Sequence, residues 1–359
     1  MRTDLLATAA FAALLLAPVT AGAQSSGYAS APFRDHPVEV AHGAALERIG
    51  VAAQALAQGG AEEEDDEEEE TAEAAGDGEQ GEDEDEGGPA ADFALLQASL
   101  AAASPELEDQ LAAAIDELVE AAEHGNDTAK PAATVIRLTG QARGALLPAD
   151  LAGTPGFRAA LMASLLLEEG GVAEGYEEAT EGEASAYALG YAALQRVKSL
   201  WDGLAGQASP QQAADVATML AILDGLFPTP AMPERLSPDP EQAEAPAQQL
   251  VALLEGVADA ELFLGRDLAA AATVVHDVAA RGCASLEAGK APLGIEELKI
   301  AAAYYDQTLR DTLGLMAPEA AGAIDEGLEE LDEGDAGEMA EACGPLLEGL
   351  ASARTALTP

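Results

Sequence analysis

Apolar residues recur three and four positions apart through most of this chain. From Leu107 the steps run to Leu111, Ile115, Leu118 and Ala122, which lines one helix face. Ser104-Pro105 stands ahead of them as an N-cap followed by Pro at the first helical position. Gly125-Asn126 closes the run. The same reading predicts helices over 129–147, over 154–171 from Thr154-Pro155 to Gly170-Gly171, and over 172–204, the last weakened by Gly175, Gly182 and Gly190. Ser209-Pro210 opens another, with Val216, Leu220, Leu223 and Phe227 on one face. A long helix is predicted over 247–281, with Leu253, Val257, Ala260, Leu264, Leu268, Ala271, Val275 and Val278 inward. Ile295, Leu298, Ala302, Tyr305, Leu309 and Met316 mark the next, and two more fill 318–331 and 336–357. No segment alternates like a strand between hairpin turns. The expected fold is all-α: an antiparallel helical bundle, or two packed helical bundles.

The pattern breaks in three places, and each break suggests a boundary. Arg2, an apolar run over 5–19 and Ala21-Gly22-Ala23 before Gln24 have the layout of a secretory signal peptide over 1–23. The apolar run is too short for an ordinary membrane-spanning helix, and no later run approaches the roughly 20 residues needed. A periplasmic location is expected, with release to the medium as the alternative. Residues 24–58 read as an extended lead-in with Pro32 and Pro37 as far as residue 40, then a short helix over 41–58. Residues 59–90 lose all periodicity and read as a disordered acidic linker, because blocks of like charge repel themselves. Six prolines in 228–246 predict a hinge between a first helical half, 91–227, and a second, 247–359.

Charge sharpens this picture. The formal net charge is −50, and 17 of the 66 acidic residues lie between Glu62 and Glu86. The remaining 49 still face only 16 bases, so acidity belongs to the helical part as well. Such a surface repels nucleic acid and anionic lipid. It favours cations, basic partners or solubility in salt. Aromatic residues make up only 4% of the chain, so the core must be built from small and aliphatic side chains. The two cysteines, Cys283 and Cys343, each stand beside a glycine; in an exported chain they predict a disulfide between C-terminal helices.

Catalytic patterns are missing: there is no H-E-x-x-H, G-x-S-x-G, phosphate-binding Gly-Lys loop or C-x-x-C-H. His36, His42, His124 and His276 are scattered, and none has a helix-spaced His partner. An enzyme is therefore the less favoured reading. Asp83-Glu84-Asp85-Glu86-Gly87 starts like a calcium loop but has Ala94 at the closing position. Glu174, Glu177, Glu178 and Glu181 fall on one helical face and make the candidate metal site. Their mutual repulsion is what a hard cation of the calcium or iron class would relieve, with Tyr176 and Tyr187 nearby. Glu117, Glu120 and His124 share a second face, where His124 fits a helix C-terminus. His276 beside Asp277 reads as a core-edge histidine. Tyr187, Tyr191, Leu194 and Trp201 form an aromatic stripe flanked by Arg196 and Lys198. A stripe at this spacing is ordinarily core. It is also the candidate pocket lining, with Tyr304 and Tyr305 as expected packing partners.

Arg196-Val197-Lys198-Ser199-Leu200-Trp201, together with the leader and the Ala/Glu-rich helices, is similar to the imelysin-like periplasmic helical proteins. The resemblance covers those few residues and implies an association with iron uptake. That family's G-x-H-x-x-E motif is missing. The nearest match, His36-Pro37-Val38-Glu39, has Arg34 in place of the Gly and lies outside the expected main bundle. The sequence thus points to an exported, non-enzymatic binding or accessory protein for a cation or cationic ligand. The alternative is an acidic helical scaffold that holds a basic partner in the cell envelope.

Overall fold

The computed structural model describes residues 28–59, 88–333 and 336–358. The expected signal peptide and all but the ends of the acidic linker lie outside these residues.

After one helical turn at Pro32–Asp35 (α1), α2 runs over Pro37–Gly59. Pro37 suits the first helical position because no intrahelical partner awaits its missing N–H. The helix therefore begins inside the segment expected to be extended, and it ends the linker's N-terminal side later than the pattern suggested. It is also built into two cores. Val40, Ala44, Val51 and Ala55 enter the larger hydrophobic core, while Ala45, Leu46, Ile49 and Ala53 enter a smaller one. A helix that is apolar around most of its circumference is a core helix.

The smaller core is closed on α2 by α3 (Pro89–Ala94), α4 (Gln97–Ala103), α5 (Pro105–Glu123) and α6 (Ala129–Leu146). Phe93, Leu96, Leu100, Leu111, Leu118 and Leu138 fill it. Its first helix starts at Pro89, inside the expected linker. Next come α7 (Ala149–Ala152), α8 (Pro155–Leu167), α9 (Val172–Glu181), α10 (Ala184–Asp202) and α11 (Pro210–Leu226). Local chemistry starts two of them. Thr154 Oγ1 accepts from Phe157 N at 3.2 Å, and Ser209 with Gln212 completes a capping box.

Beyond the proline-rich stretch lie α12 (Glu241–Ala258), α13 (Leu268–Glu287), α14 (Ala291–Thr308), α15 (Arg310–Met316), α16 (Pro318–Glu333) and α17 (Ala336–Leu357). The main core contains residues from both sides of that stretch, from Phe33 to Ala353. Among the described residues the only β pairing is one isolated parallel bridge, Ser30 with Ala260. Among them, too, no helix is long and apolar enough to cross a membrane.

Three expected helices are broken. The 172–204 helix splits at Gly182, whose φ of 118° suits glycine. The 247–281 helix splits at Asp259, which adopts φ 50°. Its carbonyl accepts from Ala29 N at 3.1 Å and Ser30 N at 3.3 Å, so a distant segment holds the turn. The helix through Ile295 and Met316 splits at Leu309. Conversely, the expected hinge ends early, because α12 accommodates Pro246 in its second turn.

The other weakening glycines let helices touch. A Cβ on Gly175 would lie 2.7 Å from Ala186 O and 2.9 Å from Gly190 Cα, so α9 and α10 meet backbone to backbone. The α13–α14 pair repeats the device: a Cβ on Gly282 would stand 2.9 Å from Gly294 O. Gly175→Ala is expected to destabilise the fold by roughly 1–3 kcal/mol, the usual cost of overpacking. Urea unfolding would measure it, and a loss within error of zero would mean the crossing can simply widen. Cys283 and Cys343 form the expected disulfide, with Cα atoms 5.8 Å apart, and join α13 to α17.

Candidate functional site

The candidate metal face lies on α9. Glu177, Glu178 and Glu181 are exposed, and Glu174 is half-buried. Glu174 Oε2 accepts from Gly170 N at 2.7 Å, in the turn just before its own helix. Burial first, and then neighbouring acids, push the carboxyls of Glu174 and Glu178 above the ordinary range. Among the described residues, no three His, Cys, Asp or Glu side chains are grouped so as to hold a metal ion. The four glutamates share a helix face without converging on a point.

The aromatic stripe lies in the core. Tyr187 and Trp201 are buried and Tyr191 is half-buried. Tyr187 packs on Phe227 at 5.0 Å between ring centroids and donates to Leu226 O at 3.1 Å. Tyr176 meets the same Phe227 edge-on. Tyr304 and Tyr305 contact other rings and cations: Tyr304 packs on Phe33, and Tyr305 lies under Arg310. His124 caps α5, its Nδ1 2.8 Å from Glu120 O. His276 and Asp277 pair at 3.0 Å.

What the sequence reading missed is a set of buried charges. Glu47, Glu255, Glu296 and Glu297 are each less than 5% exposed. Each has strong partners, as a buried carboxylate requires. Glu47 on α2 lies between Arg143 of α6 and Arg196 of α10, whose Nε is 2.5 Å away. Glu296 on α14 meets His42 Nε2 at 3.1 Å and Ser99 N at 3.0 Å, and it also accepts from Ser99 Oγ. Glu297 takes Arg281 at 2.8 Å and Ser285 Oγ at 2.9 Å. Glu255 takes Arg266 at 2.7 Å and Leu262 N at 2.9 Å.

The remaining cluster adjoins a crevice. Arg48, one residue beyond Glu47, reaches Asp92 at 2.6 Å and Glu168 at 2.9 Å. Ser164 Oγ also donates to Glu168. Burial outweighs the attraction of Arg48 and raises the Asp92 carboxyl to about 6. Arg48, Glu168 and the buried Tyr304 border a cavity of about 30 Å³. That volume suits a water molecule or two. It is far below the roughly 300 Å³ at which small-molecule pockets begin. Tyr304 itself donates to Pro37 O at 2.8 Å, so its hydroxyl is already committed. The cluster can anchor α3 and the end of α8 to α2, and it leaves no open cationic or nucleophilic group facing a substrate-sized space.

The residues behind the resemblance have local tasks: Arg196 holds Glu47, Lys198 holds Asp224 at 2.8 Å, and Trp201 is buried. No family model matches this chain, and neither does any curated protein or solved structure.

Proposed function

We propose that this is an exported, non-enzymatic helical protein, periplasmic or released to the medium, whose acidic exterior holds a basic protein partner. One observation carries the proposal. Among the described residues, eight of the chain's 16 bases are engaged with carboxylates: Arg34, Arg48, Arg143, Arg196, Lys198, Arg266, Arg281 and Arg310. Several of those carboxylates are buried. Half of the scarce positive charge is thus already matched by acid, and Arg143, Arg196, Arg266 and Arg281 neutralise the buried Glu47, Glu255 and Glu297. The exterior keeps the excess acid, and its potential reaches outward over a Debye length.

A second reading stays tied to one feature. The crowded carboxyls of Glu174 and Glu178 are the chemistry a hard cation would relieve, calcium or iron by class. One set of titrations separates the two. Wild-type protein is expected to bind a lysine oligomer at about 0.15 M salt and to lose affinity steeply as salt rises. No binding at that salt would overturn the basic-partner reading. A melting temperature raised by micromolar calcium, manganese or iron in high salt, and unaffected by them after Glu174→Gln with Glu178→Gln, would put the cation reading in its place.

A further inference from the structure

Few large apolar side chains stand in solvent among the described residues, and two of them are adjacent. Leu315 is 87% exposed and Met316 60% exposed at the end of α15. They are held on a firm corner. Leu309 and Leu313 of the same segment are buried, and Ala317 N donates to Leu313 O at 2.8 Å. Ala320 N and Ala321 N then both donate to Ala317 O, at 2.9 and 3.0 Å, as α16 begins. A projection fixed in this way loses little conformational freedom when a partner covers it.

Its rim is acidic. Exposed Asp311 lies one helical turn before Leu315, hence on the same face. Exposed Glu319 follows in the first turn of α16. The nearby base, Arg310, is engaged by Asp306 at 3.0 Å and Asp325 at 3.3 Å. A second copy of the chain is a poor occupant, since each would bring a net charge of −50. The acidic segment 62–86 is excluded by the same repulsion.

We propose that Leu315 and Met316 form the anchor by which this protein docks a basic partner, inserting into an apolar socket rimmed by lysine or arginine. This rests on the basic-partner reading above and gives it a location. The acidic rim steers encounter, and the apolar pair supplies short-range contact.

The test uses two probes at about 0.15 M salt: a helical peptide of alternating lysine and leucine faces, and a lysine oligomer of equal charge. Leu315→Ser with Met316→Ser should weaken the amphipathic peptide about tenfold and leave the lysine oligomer unchanged. Ile136→Ser with Ile222→Ser, at the other exposed apolar positions, should change neither. All four residues are well exposed, so the folded state is expected to survive, and thermal melts check this. Equal binding of both peptides by wild type and the Leu315/Met316 variant would overturn the anchor while leaving the basic-partner reading intact. Wild type that binds neither peptide would overturn both. Salt-dependent dimerisation in sedimentation, lost in that variant, would also overturn it by assigning the corner to a second copy.

Discussion

Arg48→Met should cost roughly 3–5 kcal/mol at neutral pH, the range seen when one partner of a buried ion pair is removed. Asp92 and Glu168, with side chains 14% and 17% exposed, would face each other without their shared cation. Methionine keeps the stem's packing, so the loss reads the charge. The pH dependence follows from Asp92, whose carboxyl rises from 3.8 unfolded to about 6 folded. Between those values the folded state binds more protons than the unfolded one. Stability from this group is therefore complete below the unfolded pKa and is lost as pH rises through the folded one. Without Arg48 the Asp92 carboxyl moves higher still, because an attraction that lowered it is gone. The penalty of Arg48→Met, taken against wild type at the same pH, should thus shrink between about pH 8 and about pH 5. Urea unfolding at both pH values measures this. A penalty that is the same at both, or near zero at the higher, would mean that water already screens the cluster.

The buried charges show what one-dimensional reading cannot reach. His42 and Glu296 are 254 positions apart, and Arg48 and Asp92 are 44 apart. Nothing local to either residue names its partner. One local signal did exist. Glu47 and Arg48 sit between Leu46 and Ile49 in a helix that is apolar on several sides, so charge there had to be buried and paired. A reading of 41–58 as simply one short helix leaves that signal unused.

Helix starts were legible because their chemistry is local. Ser209-Pro210 and Thr154-Pro155 carry both cap and first residue. Helix breaks were not. Apolar spacing runs across Asp259 undisturbed, and Ala260 is fully buried as its spacing requires. It is buried from a turn that the backbone of Ala29 and Ser30 stabilises from far away in sequence. The glutamates of α9 show the converse limit. Helical spacing placed them on one face correctly, but convergence on a ligand needs groups from neighbouring elements, and spacing carries no such information. The basic residues needed the same long-range view, since their importance lies in which carboxylates they neutralise.

Replacing both cysteines, Cys283→Ala with Cys343→Ala, is expected to cost about 4 kcal/mol, the chain-entropy value for a closed loop of this length. The bond spans a sequence separation of 60 and encloses all of α14, α15 and α16. Its removal lets the C-terminal pair α16–α17 move away from α13 in any state where their packing has opened, partial openings included, while Leu346, Leu350 and Ala353 stay buried in the native state. The loss should therefore appear first as local opening. In hydrogen exchange the amides of α17 are expected to lose protection before those of α2, which both hydrophobic cores enclose. Denaturant unfolding of the variant, and of wild type with and without reductant, gives the global value. Uniform loss of protection in both helices would mean that the chain unfolds as one cooperative unit and that the bond acts on the whole. An unchanged midpoint would mean that packing of α17 on α13 alone holds the ends of the loop together, in the unfolded ensemble as well as in the folded state.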